Sequence, residues 1–163
     1  RDAATDVGPL CVPSHVDDVL RPQLDGALAA GATLVVGDTG ALPHGYFAPT
    51  LLADVDHSMA VMRDESFGPI VGVQRVPSED AAVELMNDTE YGLTASVYSR
   101  ARAVLERVAP RLDVGTTYWN SCDRTDSRLP WSGRRHSGVG CTMGVEGMAA
   151  FTVPRATIEC EQP

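Results

Sequence analysis

The sequence has no C-x-x-C pair: its four cysteines, Cys11, Cys122, Cys141 and Cys160, stand far apart. That spacing excludes the usual cysteine-based metal clusters and argues against a disulfide framework in a chain of 163 residues. The four histidines, His15, His44, His57 and His136, show no ligand spacing either and are expected at loop or surface positions. No metal site is expected. No apolar run approaches the length of a membrane span, and the opening "RDAATDVGPL" lacks the apolar core of a secretory leader. These absences point to reduced thiols in a cytoplasmic protein, with extracellular pairing left open by sequence alone. Cations are scarce: 13 Lys and Arg face 22 Asp and Glu, a net charge of −9. Such a balance argues against non-specific nucleic-acid binding and against attraction to anionic membranes. There is no internal repeat and no low-complexity tract. The chain begins with Arg1 rather than Met and is therefore expected to be a fragment or a processed product.

What is present is enough for a folded core. Hydrophobic residues make up 44% and charged residues 21%, the balance of an ordinary globular domain. Val16, Leu20, Leu24, Ala27 and Leu28 recur at helical spacing after Ser14, a candidate cap. Pro22 sits inside this pattern and should kink the helix or mark its true start. Gly31 is a natural stop. "ATLVVG" then reads as a short buried strand, "DTGALPHG" as a loop, and "YFAPTLLADV" as extended, with Pro49 pointing to an edge strand or an irregular segment. "PIVGVQRV" reads as a strand. Ser78, Glu79 and Asp80 open a second helix that carries Val83, Leu85 and Met86. "LTASVYS" is a strand. Ser99 is a candidate cap for a third helix with Val104, Leu105 and Val108 inward, and "VGTTYWN" is a further strand. Helix and strand alternate through the middle of the chain, which favours an α/β fold with parallel pairing. The Gly-rich stretch 133–147 shows little regular pattern, and "FTVPRATIE" closes the chain as a candidate strand.

One stretch is harder to account for as packing. "MRDESFGPIVGV" runs an acidic residue into Phe67-Gly68-Pro69 and then into small apolar residues. Taken alone, Glu65 is a surface carboxylate and Phe67 a core ring. The order of the neighbouring pieces changes that reading. "GPL" is followed by a helix ending in "AAGATLVVG", then "GYFAPTLLADVDHSMAVMRDESFGPIVGV", "NDTEYGLTASVYS", "VGTTYWN" and "LPWSGRRHSGVG". This series resembles the C-terminal part of the aldehyde dehydrogenase superfamily, over about residues 8–155. Residues 64–69 are the most specific part, and 87–93 and 129–138 add independent support.

The resemblance implies an α/β fold: the parallel-rich open sheet of the aldehyde dehydrogenase catalytic domain over residues 1–150, and a C-terminal oligomerisation strand and tail over 151–163. It implies NAD or NADP as cofactor. Glu65 would accept hydrogen bonds from the nicotinamide-side ribose hydroxyls, and Phe67 would pack beside that ribose and the ring. The chemistry suits a carboxylate, since a ribose diol offers two donors and a carboxylate can accept both. Trp131, in "LPWSG", matches an aromatic that lines the aldehyde tunnel in many members; whether it does so here or is an ordinary core Trp stays open. Asn120 matches a residue that ties loops together, and Trp119 reads as packing. Arg135 stands where the family commonly has Lys. With Arg134 and His136 it reads as a solvated or domain-contact cluster rather than a phosphate site.

The Gly-rich stretch is not a dinucleotide fingerprint, because it does not join a strand to a helix in the required way. It carries Cys141-Thr142 where the family often has an Arg-Glu pair. The family's cysteine nucleophile sits in a G-Q-x-C context upstream of the region matched here, as do its general base, its oxyanion Asn and most of its cofactor-binding domain. None of the four cysteines has that context, so no catalytic residue is assigned. The resemblance thus implies the C-terminal portion of an enzyme that oxidises an aldehyde to a carboxylic acid through a Cys thioester, inactive as an isolated chain. Its partners would be a small-molecule aldehyde and, through the C-terminal strand, other subunits of the same family. The rival expectation is a non-catalytic interaction module, or one half of a split enzyme that pairs with a full-length or N-terminal partner.

Overall fold

A computed structural model describes residues 6–40, 42–122 and 124–160. The chain divides into two compact units, Arg1–Ser78 and Glu79–Pro163.

The first unit begins with a π-helical turn at Val16–Leu20 that leads directly into α1, Arg21–Ala29. Pro22 explains the change of geometry. A proline within an α-helix lacks the N–H its turn needs and collides with the preceding carbonyl. Widening the turn before it lets the helix run through, with Pro22 inside the first turn of α1. Ser14 contributes its carbonyl, which accepts from Asp17 and Asp18 N–H at 3.0 and 2.8 Å, while His15 occupies the cap position without a side-chain cap bond. Leu20, Leu24 and Ala27 are buried on the inward face. The helix ends as expected at Gly31, whose φ of 103° permits paired closing bonds: Gly31 N–H to Leu28 O at 3.1 Å and Ala32 N–H to Ala27 O at 2.9 Å.

Strands β1 (Thr33–Val36), β2 (Thr50–Ala53) and β3 (Ile70–Val73) form one sheet in that order. β1 runs antiparallel to β2, with an irregularity between Leu34 and Val36; β2 runs parallel to β3. Two expectations are corrected. β2 is central rather than an edge, because Pro49 falls just before the first paired residue and removes no ladder bond. β1 is itself the edge, and Val35 and Val36 are about half exposed rather than buried. The β2–β3 connection includes the four-residue helix α2, Ala60–Arg63. Leu20, Leu24, Phe47, Leu52, Met59, Val61 and Ile70 belong to one apolar core.

The second unit carries α3 (Glu79–Asn87), β4 (Thr94–Val97), α4 (Arg102–Val108) followed by a 3-10 turn, β5 (Thr116–Trp119) and α5 (Gly144–Ala149). β4 and β5 are parallel with α4 between them, a βαβ arrangement. Val83, Val97, Val108 and Leu112 form its core, with Val104 and Leu105 packed against them, while Met86 of α3 is exposed. Ser99, the candidate cap, does not cap α4: Ala101 holds that position without a side-chain cap bond, and the Ser99 hydroxyl accepts from Ala101 N–H at 3.1 Å just before the helix. The fold class is α/β with parallel-rich sheets, as the alternation of elements suggested.

The closing segment, expected to pair as a strand with another subunit, has no ladder within the single chain. Phe151 lies in a turn, and residues 152–160 form no strand and are exposed. A strand exists only where a ladder partner satisfies its N–H and C=O groups, and the single chain provides none there. Among the described residues no helix is long and apolar enough to cross a membrane, and no cluster of His, Cys, Asp and Glu could hold a metal ion.

Candidate functional site

Glu65 and Phe67 leave the sequence at a place where the backbone cannot continue regularly. α2 ends at Arg63, and Asp64 turns to extended geometry at ψ 149°. The next regular element is β3 at Ile70. The six residues between, Asp64 to Pro69, are anchored toward their C-terminal end. Gly68 lies against the buried side chain of Leu20: a Cβ there would come within 2.5 Å of Leu20 Cδ1. A side chain at 68 would therefore require Leu20 or the loop to shift. Pro69 O accepts from Thr50 N–H at 2.8 Å, which fixes the loop to the start of β2.

Just before these anchors Phe67 adopts φ 45°, in the left-handed region that an aromatic residue seldom occupies. The residue is 81% exposed. A large ring presented to solvent on a left-handed backbone is not packed within this chain, in contrast to the core ring that the residue alone suggests. Glu65 is exposed beside it. Both residues line a cavity of about 570 Å³ whose other walls are Pro9, Leu10, Cys11, Val12 and His15. The volume lies within the range of small-molecule and cofactor sites, and the apolar lining with few polar groups is typical of them. His15 reaches the same segment: its Nε2 lies 2.8 Å from Ser66 O. Because a carbonyl only accepts, the imidazole is the donor there.

Trp131 belongs to the second unit. It is half-buried and joined to Thr142 by a two-bond antiparallel bridge, Trp131 N–H to Thr142 O at 2.7 Å and Thr142 N–H to Trp131 O at 2.9 Å. Cys141-Thr142, the departure from the family pattern, thus sits at a backbone pairing that does not depend on its side chains. Asn120 ties loops, as expected: its amide donates to Ser99 O at 2.9 Å and its carbonyl accepts from Ser99 N–H at 2.8 Å. Trp119 donates to the same Ser99 carbonyl at 3.2 Å. Arg135 is an internal clasp. Its guanidinium donates to Asp113 Oδ2 at 2.9 Å, to Asn87 O at 2.7 Å and to Thr89 O. A side chain so occupied is not free for a phosphate. His136 faces Glu90 and sets its ring edge-on to Tyr91.

Sequence reasoning missed the contribution of Leu10, Cys11 and His15 to the Glu65 cavity. His15 and Ser66 are 51 residues apart, and no local pattern announces their contact. All four cysteines carry free thiols, and Cys11 is exposed at the cavity wall.

Comparison with known proteins agrees with this picture. The model of the aldehyde dehydrogenase family matches residues 1–157. The chain is 37% identical over 148 residues to a chloroplastic betaine aldehyde dehydrogenase of Amaranthus hypochondriacus, covering 89% of this chain and 29% of that protein. It is 38% identical over 152 residues to a succinate-semialdehyde dehydrogenase of Paenarthrobacter nicotinovorans, covering 93% of this chain and 34% of that protein. Among solved structures, betaine aldehyde dehydrogenase from Staphylococcus aureus in complex with NAD+ superposes with a TM-score of 0.84 at 34% identity, over 93% of this chain and 31% of that one. The chain therefore spans about a third of the length of the relatives it matches. With a family match over nearly all its length, on a fold shared with solved members, the chain belongs to the aldehyde dehydrogenase family.

Proposed function

We propose that this chain is the C-terminal part of the catalytic domain of an NAD(P)-dependent aldehyde dehydrogenase, residues 1–150, followed by an oligomerisation tail, 151–163. The observation that carries the reading is the pairing of Glu65 with an exposed, left-handed Phe67 on one cavity wall. The residues present suit one end of a dinucleotide. Glu65 offers a carboxylate in solvent to a diol, and Phe67 offers a ring face to the adjoining sugar and heterocycle. When bound, NAD or NADP supplies the hydride acceptor. The chain's own part would be to hold the ribose, with Glu65 accepting from its hydroxyls and Phe67 packing beside it.

In this reading Trp131 forms part of the tunnel wall for the aldehyde. The attacking thiol, which passes through a thioester, comes from polypeptide outside these 163 residues, and the isolated chain does not turn over aldehydes. The enzyme is cytoplasmic. The segment 153–160, exposed and outside any strand of this chain, favours pairing with another subunit by strand addition. The same segment would serve the second reading, a non-catalytic module or split-enzyme half that docks on a full-length or N-terminal partner.

The test is complementation. The chain is co-expressed with the N-terminal two thirds of a betaine aldehyde dehydrogenase, and aldehyde-dependent NAD(P)H formation is measured. We expect activity from the pair and none from either piece alone. Glu65→Gln should lower cofactor affinity or hydride transfer roughly ten- to a hundredfold, the worth of a charge-assisted bond. A soluble pair without activity, or an unaffected Glu65→Gln pair, would refute the enzymatic reading; stable association without activity would favour the docking module.

A further inference from the structure

We infer that His15 is a positioning residue for the cofactor-facing loop: its imidazole clamps the backbone between Glu65 and Phe67 and sets the directions in which both side chains point. The inference rests on the cofactor reading of those two residues. His15 Nε2 donates to Ser66 O at 2.8 Å, in the middle of the triplet, and lines the same cavity as its two neighbours.

The clamp is built into the helix that carries it. His15 directly precedes the π-helical turn Val16–Leu20, and Leu20 closes that turn. In a turn closed by bonds between residues five apart, His15 and Leu20 come to one side. Both meet the same short loop: His15 holds the Ser66 carbonyl, and Leu20 lies against Gly68. Phe67 is fixed between these two contacts. Its φ of 45° is unfavourable for a residue with a Cβ and persists only where the surroundings impose it. A residue that is 81% exposed has little packing to impose it, so the constraint comes from the backbone on either side. Pro22 then has a further consequence. The proline demands the widened turn, and the widened turn brings His15 and Leu20 to bear on the loop.

The experiment uses the full 163-residue chain and two readouts. The first needs no cofactor: amide hydrogen exchange of the peptide covering 64–70 in wild type, His15→Ala, His15→Phe and His15→Gln. We expect exchange at 65–68 to rise about three- to tenfold in the Ala and Phe variants. Gln, which keeps an N–H donor of similar reach, should restore protection. The second is saturation-transfer NMR of the nicotinamide-ribose protons with millimolar NAD+. The signal should weaken at least threefold in His15→Ala and Glu65→Gln and return in His15→Gln. Wild-type exchange in His15→Ala would overturn the clamp. Altered exchange with undiminished ribose transfer would show a merely structural bond and overturn the positioning role. If ribose transfer is lost in Glu65→Gln but kept in His15→Ala, the cofactor reading stands and the His15 inference falls. No transfer in wild type would overturn both.

Discussion

Two glycines, each changed to alanine, should move stability in opposite directions, and the structure indicates why. Gly115 precedes β5 and lies under the backbone of the loop that follows Trp131. A Cβ placed on it would fall 1.6 Å from Ser132 O and 2.7 Å from Ser132 C. Ordinary contact begins near 3.4 Å, so the carbonyl must retreat from 1.6 Å to about that distance. The obstacle is backbone rather than the end of a flexible side chain, and the loop is tied down on both sides: Trp131 is bridged to Thr142, and Arg134 N–H donates to Gly92 O at 3.0 Å. Gly115 has no left-handed φ, so the effect of Gly115→Ala is steric alone. We expect the upper end of the overpacking range, about 3 kcal/mol, or a fall in Tm of roughly 12–24 °C for a unit of this size. Gly26 is the control. It lies exposed in α1 with nothing within 4 Å of its would-be Cβ, and Gly26→Ala should stabilise the first unit by about 0.5–1 kcal/mol. The units can be read separately. Both tryptophans, Trp119 and Trp131, lie in the second unit, so their fluorescence during urea unfolding reports Gly115→Ala, and far-ultraviolet circular dichroism reports the helix change. A Gly115→Ala chain within about 0.5 kcal/mol of wild type, with unchanged tryptophan emission, would refute the reasoning.

Two further outcomes follow from the same structure. Phe67→Gly removes a Cβ from a left-handed position and a ring that is mostly exposed, so stability should stay level or rise by up to ~1 kcal/mol while affinity for NAD+ falls; a marked loss of stability would show that the ring is packing rather than a ligand contact. Glu79 meets the Arg107 guanidinium in a fork, at 2.7 Å from Nη2 and 3.2 Å from Nε. That hydrogen bond holds its carboxyl below the ordinary value of 4.5. A depressed folded pKa means that the pair's contribution is complete above about 4.5 and is lost as pH falls through the folded value. Carbon-detected NMR titration should give Glu79 a midpoint below 4.5 that moves upward in Arg107→Leu; identical midpoints would dismiss the pair as an electrostatic partner.

The order of elements was legible because it depends on local periodicity. Leu20, Leu24 and Ala27 mark a helix face in the one-dimensional string as clearly as in space, and Gly31 stops that helix for a reason internal to glycine. Alternation of helix and strand was enough for the α/β class, since parallel strands require a crossover. Glu65 and Phe67 stood out through the resemblance of their motif, and Asn120 through the same route.

The tertiary structure decided what depends on partners remote in sequence. Burial of β1 is one case: "ATLVVG" is apolar enough for an interior strand, yet Val35 and Val36 face outward because β2 took the central place. The tail is another, since "FTVPRATIE" has strand composition but no neighbour to pair with in one chain. The helix α5 formed inside a Gly-rich stretch that shows no period, and Gly147 is needed there because a Cβ would come within 2.6 Å of Thr142 C. The widened turn before Pro22 and the His15 contact with Ser66 complete the set. Sequence by itself determined which residues prefer which local geometry and which motif they spell, because propensity and period act within one or two turns. The cavity at Glu65, the exposure of Phe67 and the clamp that holds them were decided by contacts across some fifty residues, and only the folded chain brings those together.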